Sequence, residues 1–140
     1  MSRWTVDASV AVKWFVPEIH SEAAARWLDP RFELLTPDLL YPEVGNILWK
    51  KARQAELSAR EVRAVCRGIA RVPFRVWPSK ELLGSALDAA LALGRSVYDC
   101  TYLALAIGLE APLVTADRRL IEAISGGSVK RYVRWIEDAP

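Results

Sequence analysis

The sequence is poor in the residues that carry several common kinds of protein chemistry. It has one histidine, His20, and two cysteines that form no Cys-x-x-Cys pair. A disulfide framework, a structural zinc site and a histidine-based triad are therefore not expected. The longest later apolar run, Leu103 to Leu109, is too short to span a bilayer. Asp7 and Lys13 interrupt the apolar start, so we expect no signal peptide, no membrane association and a cytoplasmic location.

The overall composition is that of a folded chain. The 140 residues are 52% hydrophobic and 26% charged, which excludes a disordered or collagen-like protein and favours one domain over residues 1–140. Nineteen Lys and Arg face seventeen Asp and Glu, so the formal net charge is +2. A total this small neither requires nor excludes a nucleic-acid partner.

Short β-like runs alternate with longer helical segments along the chain. The predicted strands are Arg3 to Val6, Phe32 to Leu35, Phe74 to Trp77, Ala111 to Thr115 and Tyr132 to Ile136. The predicted helices run to Val16, from Glu22 to Leu28, from about Thr36-Pro37-Asp38 to Gln54, from Ser58 to about Ala70, from Ser79 to Leu93, from Tyr98 to Leu109 and from about Asp117 to Ile124. This alternation predicts an α/β fold with a parallel sheet and helices on both faces.

Two acidic residues stand where predicted strands end. Asp7 closes the first strand, and Asp117 follows Leu113-Val114-Thr115 at the end of the fourth. Ligands of parallel sheets bind beyond the carboxyl ends of the strands. Both acids therefore belong at the edge where a site is expected, although each could equally be a helix N-cap.

Two further acids lie on apolar helix faces. Glu43 shares a helix face with Leu40 and Ile47, at offsets of three and four residues. Asp99 shares a face with Tyr102, three residues later. An unpaired carboxylate facing a core is costly, and a shared divalent cation would remove that cost. Taken singly, Glu43 could be a solvent-facing acid, and Asp99 could be a first-turn acid that interacts favourably with the helix dipole. One metal site explains all four acids together.

The order and context of these acids resemble the PIN-domain nucleases, and specifically the VapC-type toxins of type II toxin–antitoxin pairs. The matching segments are Val6-Asp7-Ala-Ser9, Pro42-Glu43-Val-Gly-Asn46, Tyr98-Asp99-Cys-Thr-Tyr-Leu-Ala-Leu-Ala106 and Leu113-Val-Thr-Ala-Asp117-Arg118. The resemblance implies a three-layer α/β/α sandwich with about five parallel strands. It also implies a metal-dependent endoribonuclease that cuts structured RNA such as transfer or ribosomal RNA.

The same resemblance assigns roles and partners. It implies that Asp7, Glu43, Asp99 and Asp117 form a catalytic site for Mg²⁺ or Mn²⁺, with Ser9, Asn46 and Thr115 as accessory polar residues. It further implies a VapB-like antitoxin that blocks this site, and toxin homodimers. With no histidine pair, we expect attack by a metal-activated water, leaving a 5′-phosphate and a 3′-hydroxyl.

The basic residues are concentrated in one segment. From Lys50 to Arg75 the chain carries a net charge of +6, and the remainder carries −4. The four arginines at helical spacing are Arg60, Arg63, Arg67 and Arg71. This stripe is either an ordinary solvated helix face or a contact for RNA phosphates.

Two other classes of protein remain as alternatives. One is a catalytically silent PIN-like module that binds RNA or protein, against which the intact four acids weigh. The other is a phosphoryl-accepting receiver or a DxD phosphatase. Asp7-Ala-Ser9 lacks the second aspartate of the phosphatase motif, and no lysine ends the last predicted strand.

Overall fold

The computed structural model describes residues 2–140, and a five-stranded parallel sheet lies at its centre. The strands are β1 (Arg3–Val6), β2 (Glu33–Pro37), β3 (Arg75–Trp77), β4 (Leu113–Thr115) and β5 (Val133–Trp135). Their spatial order is β3-β2-β1-β4-β5, and every adjacent pair is parallel. The expected α/β class and the number of strands are confirmed.

Helices connect the strands. They are α1 (Ala8–Ala11), α2 (Ser21–Ala25), α3 (Leu40–Arg53), α4 (Ala59–Arg71), α5 (Ser79–Leu93), α6 (Val97–Gly108) and α7 (Arg118–Ile124), with 3₁₀ turns at Val12–Trp14 and Lys130–Tyr132. Within residues 2–140, none of these helices has the length and apolar character needed to cross a membrane.

Local contacts in the structure explain the predicted start of α4 and the predicted end of α5. The Ser58 hydroxyl accepts a hydrogen bond from the Glu61 backbone N–H, and the Glu61 carboxylate accepts one from the Ser58 N–H, so α4 begins with a capping box. Gly94 ends α5 at φ 68°, in the left-handed region that glycine enters without steric cost.

The predicted boundary between β2 and α3 is wrong. The sequence Thr36-Pro37-Asp38 predicts a helix start, but Pro37 is the last residue of β2 and lies opposite Trp77 of β3. The Thr36 hydroxyl donates to the carbonyl oxygen of Val6 at 2.9 Å and ties this strand end to β1. The proline is tolerated because it lies past Leu35, the last residue of β2 with a register partner on β1.

Apolar side chains cover both faces of the sheet. Leu34 and Leu35 are adjacent in β2 and both are buried, yet they belong to two different apolar clusters because successive strand residues point to opposite faces. One cluster draws on α1, α3, α4, α7 and part of α6, and the other on α5, the rest of α6 and Leu35 of β2. Residues 100–106 of α6 are buried throughout, so the helical layers on both faces confirm the predicted three-layer architecture.

The chain changes direction across the sheet at β1. It first builds β2 and β3 on one side of β1, then returns to place β4 and β5 on the other side. Val6 and Val114 are register partners, so β1 and β4 end side by side. This is the kind of switch point where the crevices of open α/β sheets form.

Candidate active site

A small cleft of about 150 Å³ opens at the carboxyl ends of β1 and β4. Its lining residues are Asp7, Ala8, Ser9, Glu43, Ile47, Asp99, Tyr102, Leu113, Asp117 and Leu120. The four predicted acids are all among them, although they come from four different parts of the chain. The topology thus concentrates negative charge at one edge of the sheet.

Asp7 is the most deeply placed of these acids, and its residue is 8% exposed. Its Oδ1 accepts hydrogen bonds from the Ser9 hydroxyl at 2.6 Å and the Val10 N–H at 3.1 Å. Its Oδ2 accepts one from the Thr115 hydroxyl at 2.6 Å. Burial raises the pKa of Asp7 to about 6, the three hydrogen bonds limit that rise, and the nearby Glu43 carboxylate adds to it.

The two hydroxyls beside Asp7 also hold the backbone after β4. The Ser9 hydroxyl accepts a hydrogen bond from the Ala116 N–H at 3.1 Å, and the Thr115 hydroxyl accepts one from the Asp117 N–H at 3.0 Å. Each hydroxyl therefore donates to Asp7 and accepts from the chain that carries Asp117. The accessory positions predicted for Ser9 and Thr115 lie directly against the acids.

Glu43 reaches the cleft from α3. Its Oε1 accepts a hydrogen bond from the hydroxyl of Tyr102 on α6 at 2.7 Å. Burial raises the pKa of Glu43, the Tyr102 hydrogen bond opposes the rise, and the charge of Asp99 adds to it. Burial also raises the pKa of Tyr102, which stays a neutral hydrogen-bond donor.

Asp99 and Asp117 are joined through Arg95. The Arg95 Nη2 donates to Asp99 Oδ2 at 2.8 Å and to Asp117 Oδ2 at 3.2 Å. The other oxygen of Asp117 caps α7 by accepting from two backbone N–H groups, those of Arg119 and Leu120. Asp99 lies in the first turn of α6, and its backbone N–H donates a hydrogen bond to the Ser96 hydroxyl.

The remaining predicted residues lie elsewhere. Asn46 is exposed on α3 and does not line the cleft. The four arginines of α4 are also exposed and outside it. Sequence reasoning missed the contacts of Tyr102 and Arg95. The spacing of four residues between Arg95 and Asp99 is the one signal that could have suggested the second contact.

The cleft offers the donor chemistry of a hard cation. Its four acidic side chains present only oxygen, the ligand that Mg²⁺ and Mn²⁺ prefer. As arranged, no three His, Cys, Asp or Glu side chains of residues 2–140 are placed to hold one ion. The acids are bonded instead to Arg95, Tyr102, Ser9 and Thr115. In donor type and charge, the residues present fit a divalent cation.

Comparison with known proteins settles the family. The chain matches the PIN domain over residues 5–125. It belongs to the PIN domain family. It is 39% identical over 119 residues to "Ribonuclease VapC3" of Pyrobaculum aerophilum, an alignment that covers 84% of this chain and 91% of that protein.

Solved structures share the fold of this chain. The crystal structure of PAE2754 from Pyrobaculum aerophilum is similar with a TM-score of 0.73 at 25% identity, covering 97% of this chain and 85% of that one. A toxin–antitoxin complex from Klebsiella pneumoniae contains a chain with the same fold, with a TM-score of 0.54 at 13% identity, covering 89% of this chain and 94% of that one. The PIN domain match includes all four acids of the cleft, and the resemblance inferred from the four sequence segments is confirmed.

Proposed function

We propose that this PIN-domain chain is a divalent-metal-dependent endoribonuclease of the VapC type, the toxin of a toxin–antitoxin pair that acts on structured RNA in the cytoplasm. The observation that carries the proposal is the convergence of Asp7, Glu43, Asp99 and Asp117 on one cleft. Similarity to proteins named as VapC ribonucleases supports the same activity.

The four acids divide into fixed and adjustable groups. Three hydrogen bonds hold the Asp7 carboxylate, so it is the natural fixed ligand for the cation. Glu43, Asp99 and the Oδ2 atom of Asp117 make side-chain bonds that can be exchanged for a metal contact. A divalent cation held by these acids would supply a water of lowered pKa and positive charge beside the scissile phosphate. We expect RNA products with a 5′-phosphate and a 3′-hydroxyl.

The cleavage test uses the full chain and end-labelled transfer and ribosomal RNA. We expect cleavage in Mg²⁺ or Mn²⁺, none in excess chelator, and none by Asp99→Asn. Asp88→Asn is the matched control, because Asp88 is an exposed acid of α5 outside the cleft. Cleavage that survives in chelator or in Asp99→Asn contradicts the proposal, as do products with a 2′,3′-cyclic phosphate. RNA binding without cleavage by the wild type favours a catalytically silent module.

The exposed arginines of α4 supply a surface for the RNA backbone. Guanidinium groups suit phosphate, and the members of this stripe are Arg60, Arg63, Arg67 and Arg71. Changing the last three to glutamine should reduce the slope of log affinity against log salt by about 2. The charge-matched control replaces Lys80, Lys130 and Arg131, which are also exposed. An equal slope in both triple variants would favour a solvated helix face.

The toxin assignment implies an antitoxin and a homodimer. We propose a VapB-like partner that covers the acidic cleft, together with self-association of the toxin. The protein encoded by the adjacent gene should co-purify with this chain and abolish RNA cleavage. Light scattering should give twice the chain mass. Cleavage unaffected by that protein contradicts the antitoxin assignment without affecting the nuclease assignment.

A further inference from the structure

Arg95 is the basic side chain that contacts the acids of the cleft. Its Nη2 atom donates to Asp99 Oδ2 at 2.8 Å and to Asp117 Oδ2 at 3.2 Å. These carboxylates belong to different elements, the first turn of α6 and the N-cap of α7. One guanidinium nitrogen thus joins two of the four acids that the proposed nuclease would use to hold its cation.

The Arg95 contact has the geometry of a bond that can be exchanged. Strong arginine–carboxylate pairs form two parallel N–H···O bonds, whereas each carboxylate here receives one bond from the same nitrogen. The Nε of Arg95 is buried and has no hydrogen-bond partner within residues 2–140. An unpaired buried donor costs free energy, so this guanidinium is less well satisfied than a purely structural one.

A cation and Arg95 would need the same oxygen atom. Asp117 Oδ1 already accepts two backbone N–H groups as the cap of α7. Its Oδ2 is therefore the oxygen left for the cleft, and Arg95 now occupies it. A divalent cation at that oxygen would compete with the guanidinium, because two positive groups close to one oxygen repel each other.

Arg95 has room to leave. It lies between Gly94, which ends α5, and Ser96, the N-cap of α6. Its side chain is 22% exposed, so rotation about its own bonds can carry the guanidinium into solvent. Neither helix has to move for this exchange.

We propose that Arg95 is a resident counter-ion of the cleft, which holds Asp99 and Asp117 in the metal-free protein and leaves them when a divalent cation binds. This inference rests on the proposed metal-dependent function. Arg95 stabilises the metal-free arrangement of acids and, as a competitor, weakens the affinity for the cation. Metal binding and release of Arg95 are then one event.

Metal affinity of the RNA-free full chain tests the proposal. Isothermal titration with Mn²⁺ compares the wild type with Arg95→Gln and with Arg119→Gln. Arg119 is an exposed arginine near Asp117 whose guanidinium forms no ion pair among the described residues, so it controls for loss of charge alone. We expect Arg95→Gln to bind Mn²⁺ about tenfold more tightly, equivalent to about 1.4 kcal/mol, and Arg119→Gln to bind as the wild type does.

Thermal unfolding gives an independent readout. Without metal, Arg95→Gln should melt below the wild type because two carboxylates lose their counter-ion. In saturating Mn²⁺ the two proteins should converge, so the metal-induced rise in Tm is larger for the variant. Equal or weaker Mn²⁺ binding by Arg95→Gln overturns the proposal.

A spectroscopic measurement on the wild type guards against a variant that fails to fold. The ¹H–¹⁵N signal of the Arg95 Nε should shift during a Mg²⁺ titration, with the midpoint that calorimetry of the wild type with Mg²⁺ gives. A signal that stays unchanged to saturation overturns the exchange while leaving the proposed function in place. Asp7→Asn is the reference that should bind no metal. If the wild type and both arginine variants also bind no metal, the proposed function fails together with the exchange.

Discussion

Asp7 should destabilise the metal-free protein at neutral pH, and Asp7→Asn should therefore stabilise it. The carboxyl group is buried at the end of β1, where its pKa rises from an ordinary value of 3.8 to about 6. A raised pKa means that the folded protein binds the proton more tightly than the unfolded chain does. The resulting stability is present in full below pH 4 and is lost as the pH rises through 6.

The size of the effect follows from the shift. At about 1.4 kcal/mol per pKa unit, the rise from 3.8 to about 6 corresponds to about 3 kcal/mol in total. About half of this is already lost at pH 5, so about 1.4 kcal/mol remains to be lost between pH 5 and pH 7.5. Asparagine has nearly the same shape and no charge. Its amide offers the Thr115 hydroxyl a donor in place of an acceptor, which costs about 1 kcal/mol at every pH.

Urea unfolding in chelator, from pH 5 to pH 7.5, measures this directly. The free energy of unfolding of Asp7→Asn minus that of the wild type should increase by about 1.4 kcal/mol across the range. Taking the difference removes most of the titration of Glu43, which both proteins share. Asp88→Asn, an exposed change, should show no such increase. A difference that stays constant or decreases with pH would refute the reasoning, whatever its absolute size.

Three further changes test single contacts. Tyr102→Phe removes a hydrogen bond that lowers the pKa of Glu43, so the acidic limb of the pH profile of kcat/KM should move to higher pH; an unmoved limb contradicts the role of this bond. Ser58→Ala removes the cap of α4 and should lower the free energy of unfolding in urea by about 1 kcal/mol. Gly68→Ala would place a methyl group 2.5 to 3.0 Å from the Phe15 ring and should cost about 1–3 kcal/mol by the same assay; a neutral result would show that the ring can move aside.

Sequence patterns predict those parts of the fold that depend on local chemistry. The bounds of β1 and α5 are predicted to the residue, because apolar runs in both cases meet a strong boundary, Asp7 and Gly94 respectively. The end of β2 is missed because pairing with Trp77 of β3 places Pro37 in a strand. Such pairing joins residues far apart in the chain, and no local signal reports it.

The same distinction applies to the cleft. The four acids are predictable because each stands where a strand ends or where a helix face should be apolar. The positions of Asn46 and Arg95 are not predictable in this way. Asn46 follows Glu43 by three residues, yet it is exposed, because the direction of a helix face depends on how α3 packs. Arg95 reaches the acids because Gly94 turns the chain at φ 68° and brings the ends of α5 and α6 together.

The two simplest explanations for Asp7 and Asp117, as helix caps or as site acids, turn out not to compete. One oxygen of Asp7 accepts the Val10 N–H at the start of α1, and one oxygen of Asp117 caps α7. In each residue the second oxygen accepts a hydrogen bond from a side chain, that of Thr115 or of Arg95. A cap fixes the rotation of the carboxylate, because a single oxygen must face the N–H groups at the helix start. The caps therefore orient the second oxygens, so the helix N-termini that stabilise the fold also determine which carboxylate atoms face the proposed cation site.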